Sequence, residues 1–319
     1  MSTARLPTRV HTAMAFLLAA ISLDSSLPAR AQGRRQPDPP PEYVVRRAVL
    51  LPDGRVARLR TALSPNASRT GARIELPDDV IVPLHQGSPV SATVEAGHGG
   101  YLIALAIDHG GAASRFEVRH VAWRGGVGGA ATVGEARAVA RQNPPAGSPF
   151  GVAATATPDG FAVFFQELDA ADPTLARTFL AQVAPDGTPR GPAVEIPVPW
   201  GVAAAAWNGA GYHLALIYPG DGMRLSMVSL DTSGRPQQHP DWASAAGVVA
   251  DVHLVAEGGR VHAYYRGGPL GEDLLEADVS QIRGWGSEPP PARRVSALAA
   301  AQLIGISLAP DGERARAVH

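Results

Sequence analysis

The side chains able to do acid–base or covalent chemistry in this 319-residue chain form a restricted set. There is no cysteine, and all 28 basic residues are arginine. A thiol nucleophile, a thiolate-bound metal, a Schiff-base lysine and a phosphate-cradling lysine are therefore excluded. Carboxylates, histidines, hydroxyls and arginines remain. Seven of the 29 carboxylates fall in short polar stretches between apolar runs: Asp108-His109, Glu167 to Asp172 (ELDAAD), Tyr218-Pro219-Gly220-Asp221, and Arg266 to Asp273 (RGGPLGED). Paired carboxylates are the equipment of glycoside hydrolysis. Converging carboxylates also bind cations, sugars or basic peptides. The run ELDAAD lacks the central glycine and distal glutamate of an EF-hand loop. No HExxH and no G-x-S-x-G occurs, and the glycine cluster Gly125 to Gly129 has no following lysine. No catalytic residue, metal site or cofactor is assigned on this basis. His253 and His262 fall in strand-like segments and read as packed or surface residues.

The elements that must position these groups are announced by turns. Gly54, Gly100, Gly160, Gly211, Gly259 and Gly312 each sit in a turn between apolar, β-rich runs, at separations of 46, 60, 51, 48 and 53 residues. Glycine-containing turns between such runs are hairpin signals. A second turn, at Pro77-Asp78-Asp79, Gly125-Gly126, Pro185-Asp186-Gly187, Ser233-Gly234 and Gly284, follows the first by 23 to 27 residues. Two hairpins per period make four strands per repeat. The first strand of a unit is short and rich in small residues, as in Val152-Ala153-Ala154-Thr155 and Val202-Ala203-Ala204-Ala205. The second is bulkier, as in Phe161 to Phe165. The third alternates, with Phe116, Val118 and His120 against Arg115, Glu117 and Arg119. The fourth is weak and proline-rich, suited to an edge. The alanine runs are too short, and too closely bounded by glycine and proline, to nucleate helices.

Four-stranded units at a period near fifty resemble β-propeller blades, in which small residues on the innermost strands fit the crowded axis. The chain resembles secreted bacterial β-propeller repeat proteins whose blades carry a strand, a Pro-Asp-Gly turn and another strand. The expected fold is all-β: a β-propeller of five four-stranded blades, six if the hairpin begun at Ala297 counts as one. Stacked β-sandwiches are the alternative. The resemblance implies a ligand face around the central channel, built by the loops joining the second strand to the third and the fourth strand to the next blade. Loops of the first kind bring Asp108, His109, Glu167, Asp169, Asp172, Tyr218, Asp221, Arg266, Glu272 and Asp273. Those of the second kind bring Phe150 and Trp200. The expected function is an exported, non-enzymatic module binding carbohydrate, a cation or a protein. The alternatives are a carbohydrate-active hydrolase or lyase using the channel-face carboxylates, and a structural envelope protein.

With 35 glycines and 29 prolines, the composition favours turns over long helices. A net charge of −1 gives no basic footprint for nucleic acid. At the N-terminus, Arg5 and Arg9 precede the apolar run Ala13 to Leu23, and Ala29-Arg30-Ala31 precedes Gln32. That is the layout of a secretory signal peptide, and the apolar run falls short of the roughly 20 residues a membrane span needs. Residues 1–31 thus read as a signal peptide, 32–42 as a proline-rich spacer and 43–319 as one repeat domain, periplasmic or secreted.

Overall fold

The structure is a computed structural model that describes residues 42–50, 56–63, 71–77, 80–86, 89–108, 115–123, 131–141, 147–169, 172, 175–198, 201–218, 224–238, 250–268, 273–280, 291–297, 305–308 and 315–318. The expected signal peptide, and the spacer up to its last residue, lie outside them. Among the described residues every regular element is a strand. Blade one is β1 (Glu42–Leu50), β2 (Val56–Leu63), β3 (Gly71–Leu76) and β4 (Val80–Gln86). Blade two is β5 (Ser91–Gly97), β6 (Gly100–Ile107), β7 (Arg115–Trp123) and β8 (Ala131–Val133), with the short β9 (Arg137–Ala138) also pairing to β7. Blade three is β10 (Pro149–Thr157), β11 (Gly160–Leu168), β12 (Ala176–Val183) and β13 (Val194–Ile196). Blade four is β14 (Val202–Trp207), β15 (Tyr212–Tyr218), β16 (Arg224–Leu230) and β17 (Pro236–Gln238). Blade five is β18 (Ala250–Glu257), β19 (Arg260–Gly267), β20 (Asp273–Asp278) and β21 (Arg293–Ala297). A two-stranded sheet follows, β22 (Gly305–Leu308) and β23 (Ala315–Val318).

Each blade is an antiparallel meander in sequence order. The innermost strands β1, β5, β10, β14 and β18 neighbour one another in that order, and β22 lies against both β18 and β1. The molecule is a five-bladed β-propeller, as its turn spacing predicts, with the terminal hairpin set between blade five and blade one.

The repeated glycine has a steric cause. A Cβ on Gly100, Gly160 or Gly211 would stand 2.3, 2.2 and 2.2 Å from the carbonyl oxygen of Val121, Val183 and Leu230. The third strand passes so close to the start of the second that no side chain fits there. The turn between the third and fourth strands is built from an aspartate and a hydroxyl two residues on. Asp186 Oδ1 accepts from the Thr188 N–H at 2.9 Å and Asp231 Oδ1 from the Ser233 N–H at 2.8 Å. Asp278 repeats the arrangement with Ser280 at 3.0 Å.

The second strand is bulky because both its faces are buried. Phe161, Val163 and Phe165 pack toward blade two, while Ala162 and Phe164 join Leu214 and Leu216 of blade four. Phe165 meets Phe116 with ring centroids 4.0 Å apart, and Phe164 meets Tyr212 edge-on at 5.3 Å. Burying one such ring contributes roughly 1.5–3 kcal/mol. Apolar layers of this kind join blades one to two, two to three, three to four and four to five, so the blades are held radially.

The alternation expected of the third strand holds only in part. Phe116 and Val118 are buried, but so is Glu117 on the other face. Arg115 and Arg119 flank it at 3.3 and 3.8 Å, which makes that burial tolerable.

Candidate active site

A cavity of about 290 Å³ lies on the propeller axis, walled by β1, β5, β10, β14 and β18. The wall is mostly alanine and valine, as crowding at the axis requires. Five residues break the pattern, one from each blade: Arg47, Glu95, Thr155, Trp207 and His253. The first four stand in the second half of their strands, toward the first hairpin turns, and His253 is the fourth of eight residues in β18.

Irregular backbone brings several of them there. Register shifts interrupt β1 between Val45 and Arg47, β10 between Pro149 and Gly151, β14 between Val202 and Ala204, and β18 between Ala250 and His253. Such bulges bend a strand and re-aim the side chains after them. In β18 the shift leaves Asp251 and Val252 outside the ladder with β19, and Asp251 has a positive φ of 53°. The Val252 carbonyl is thereby free to accept from Arg47 Nη1 at 3.3 Å, a bond spanning 205 residues of chain.

Glu95 and Thr155 occupy the same place in successive blades, two residues before the one that pairs with the hairpin glycine. Both reach across to the next blade: Glu95 Oε1 accepts from the Ala156 N–H at 3.2 Å, and Thr155 Oγ1 from the Trp207 N–H at 3.1 Å. Blades four and five carry Ala206 and Val255 at this place. Thr155 satisfies the neighbouring amide with a neutral hydroxyl, whereas Glu95 does it with an ionisable group that has a second oxygen to spare.

Glu95 is half-buried, with part of its surface facing the cavity, and desolvation there pushes its carboxyl up from 4.5 to about 7. The Ala156 N–H and the positive charge of Arg47 pull the other way and hold it at that level. Burial brings the Arg47 guanidinium down to about 10, against the opposing fields of Glu95 and Asp251. Asp251 in turn pairs with Arg266 at 3.2 Å. The axis therefore carries an arginine within reach of two carboxylates, one of which keeps its proton to near neutrality.

The residues expected from sequence lie elsewhere. Their loops belong to the opposite end of the inner strands from the cavity. Glu167 is not in a loop: β11 continues through Leu168, and the carboxylate is fully buried, 2.7 Å from Arg141 and 4.0 Å from Arg177. Burial raises its pKa, opposed first by Arg141. Asp169 Oδ1 accepts from the exposed Asp172 N–H at 3.1 Å, closing a local turn. Phe150 lies in β10, Asp108 directly follows β6, and Asp273 opens β20 with Arg294 at 2.7 Å. Arg266 ends on Asp251 and so touches the axial network at one remove. Tyr218 closes β15, and His109, Trp200, Asp221 and Glu272 lie outside the described residues. Sequence reading missed Arg47, Glu95, Thr155 and Trp207, and took His253 for an ordinary strand residue. The available signal was a charged residue inside an innermost strand of otherwise small side chains, as at Glu95 in SATVEAG.

Among the described residues no cluster of three or more His, Cys, Asp or Glu is placed to hold a metal ion, and no helix is long and apolar enough to cross a membrane. No protein-family model matches the chain, and no curated protein matches it. Solved structures do. A xylan β-1,4-xylosidase from Bacillus halodurans superposes with a TM-score of 0.42 at 10% identity, over 69% of this chain and 47% of that one. An α-L-arabinofuranosidase from Lactobacillus brevis gives 0.42 at 11% identity, over 84% of this chain and 93% of that one. An exo-1,5-α-L-arabinanase from a bovine ruminal metagenomic library gives 0.39 at 11% identity, over 90% and 100%. The expectation of a non-enzymatic binding module is corrected to this extent: the solved structures that share the fold are named as glycoside hydrolases, not as binding modules. The likeness itself extends to the fold alone.

Proposed function

We propose that this protein is a carbohydrate-active hydrolase that works in the axial cavity, with Glu95 as the proton donor. The observation that carries this reading is the Glu95 carboxyl, held at about 7 by desolvation on the axis and facing open space. A glycosidic oxygen leaves as an alcohol only if it is protonated as its bond breaks, and a carboxylic acid still protonated near neutrality is suited to that. Asp251, paired with Arg266 at 3.2 Å, reaches Arg47 through its field and stands behind the wall, so Glu95 is the carboxylate that the described residues place on the cavity itself. At about 290 Å³ the cavity is at the small end of ligand pockets and suits a single sugar ring.

Aryl β-xylosides and aryl α-L-arabinofuranosides are the first probes, taken from the named activities of the similar structures. Turnover by the purified protein should fall as the pH rises through about 7, where Glu95 loses its proton. Glu95→Gln should lower kcat by at least ~100-fold with little change in KM. Full turnover by Glu95→Gln, or no hydrolysis across a broad panel of aryl glycosides, would overturn the reading.

A further inference from the structure

Resting on the reading of the axial cavity as the substrate site, we infer that its ligand is acidic: a sugar carrying a carboxylate, gripped by Arg47. The ground is the charge inventory of the cavity wall. Arg47 is its cation, and one of its five donors is used on the Val252 carbonyl. Of the two carboxylates whose fields reach it, Asp251 is engaged by Arg266 at 3.2 Å, and Glu95 is turned to the Ala156 N–H at 3.2 Å. Neither forms an ion pair with Arg47 among the described residues. Glu95 is the one carboxylate that the described residues place on the wall, and the proton it keeps to near neutrality removes that countercharge. An enclosed cation without a full countercharge is costly, and a planar guanidinium is matched geometrically by a carboxylate, which it binds through two parallel hydrogen bonds. An acidic sugar ring meets three demands at once: it fills the space, supplies the missing negative charge, and presents hydroxyls to Thr155 and His253. Its charge would also hold the Glu95 proton more firmly, keeping the donor loaded while substrate is bound.

The test compares D-galacturonate with its methyl ester and with D-galactose, titrated by calorimetry into the wild-type protein at mildly acidic pH. These share one ring and differ at the carboxylate, so no variant is needed for the first answer. The expected result is affinity at least ~10-fold higher for the acid than for either neutral form, equivalent to about 1.4 kcal/mol. Arg47→Met, checked for cooperative unfolding, should abolish the difference. Equal binding of acid and ester, no detectable binding of galacturonate, or a preference that survives Arg47→Met would overturn the inference. Binding is read here without turnover. Galacturonate binding with no glycoside hydrolysed would refute the hydrolase and leave the acidic-ligand inference standing. Hydrolysis of neutral glycosides through Glu95, with no preference for the acid, would do the reverse.

Discussion

Replacing Glu95 by glutamine separates the electrostatics of the axis from any assumption about substrate. Glutamine keeps an oxygen able to accept from the Ala156 N–H, but it cannot ionise. In the wild type the carboxyl titrates near 4.5 when the chain is unfolded and at about 7 when it is folded. The folded state thus holds the proton longer, and the contribution of Glu95 to stability is fully present below pH 4.5, falls between 4.5 and about 7, and then levels off. Each pKa unit is worth 1.36 kcal/mol, so ionising Glu95 on the axis costs the fold about 3 kcal/mol. Glu95→Gln escapes that cost. Urea unfolding of both proteins, run from about pH 4 to about pH 9, should give similar stabilities at the acid end and a variant about 3 kcal/mol more stable at the alkaline end. Other groups titrate in both proteins and cancel in the difference. A difference that stays constant with pH, or that favours the wild type as pH rises, would refute the desolvated-carboxyl account and with it the proton donor.

The remaining predictions concern the scaffold. Gly160→Ala should cost well over ~2 kcal/mol, because φ is +146° and the new methyl would meet the Val183 carbonyl at 2.2 Å. Gly209→Ala, at a φ of +97° with open space around it, should cost only about 1 kcal/mol. Denaturant midpoints compare the two, and equal losses would remove the steric explanation of the turn period. Arg141→Met should strand the buried Glu167 with only the more distant Arg177, at a cost of about 3 kcal/mol near neutrality. The Glu167 pKa, already raised, would rise further, so this loss should shrink in acid and grow with pH; a pH-independent loss would contradict the ion-pair reading.

The blades were legible because their periodicity has a backbone cause. Wherever the third strand crosses the start of the second, as at Gly100, Gly160 and Gly211, the sequence is left one choice. Burial of the second strand on both faces likewise writes an unbroken apolar run such as Phe161 to Phe165. The cavity was legible only at Glu95, whose strand has an unbroken ladder; in the other four inner strands, which residue faces the axis depends on bulges that no residue pattern announces, as between Ala250 and His253. Glu95, Thr155, Ala206 and Val255 share one structural position with no common chemistry. Glu167 misled for the opposite reason. It stands one residue before a strand end, close to aspartates, and reads as loop, while the arginines that let it be buried, Arg141 and Arg177, lie 26 and 10 residues away in the chain.

The bond from Arg47 to the Val252 carbonyl joins the first blade to the last across 205 residues. Apolar contacts between successive blades can form locally as the chain collapses, but this seam is made only once the whole ring has come round. Arg47 lines the cavity and Val252 precedes His253 on its wall, so the latch that closes the circle and the axial cavity are one assembly. An open ring therefore lacks the surroundings that raise the Glu95 pKa, and the axial electrostatics arrive with the last folding event. The same linkage runs backward: a ligand gripping Arg47 would draw the seam shut, and slower exchange of backbone amides in β1 and β18 would report it.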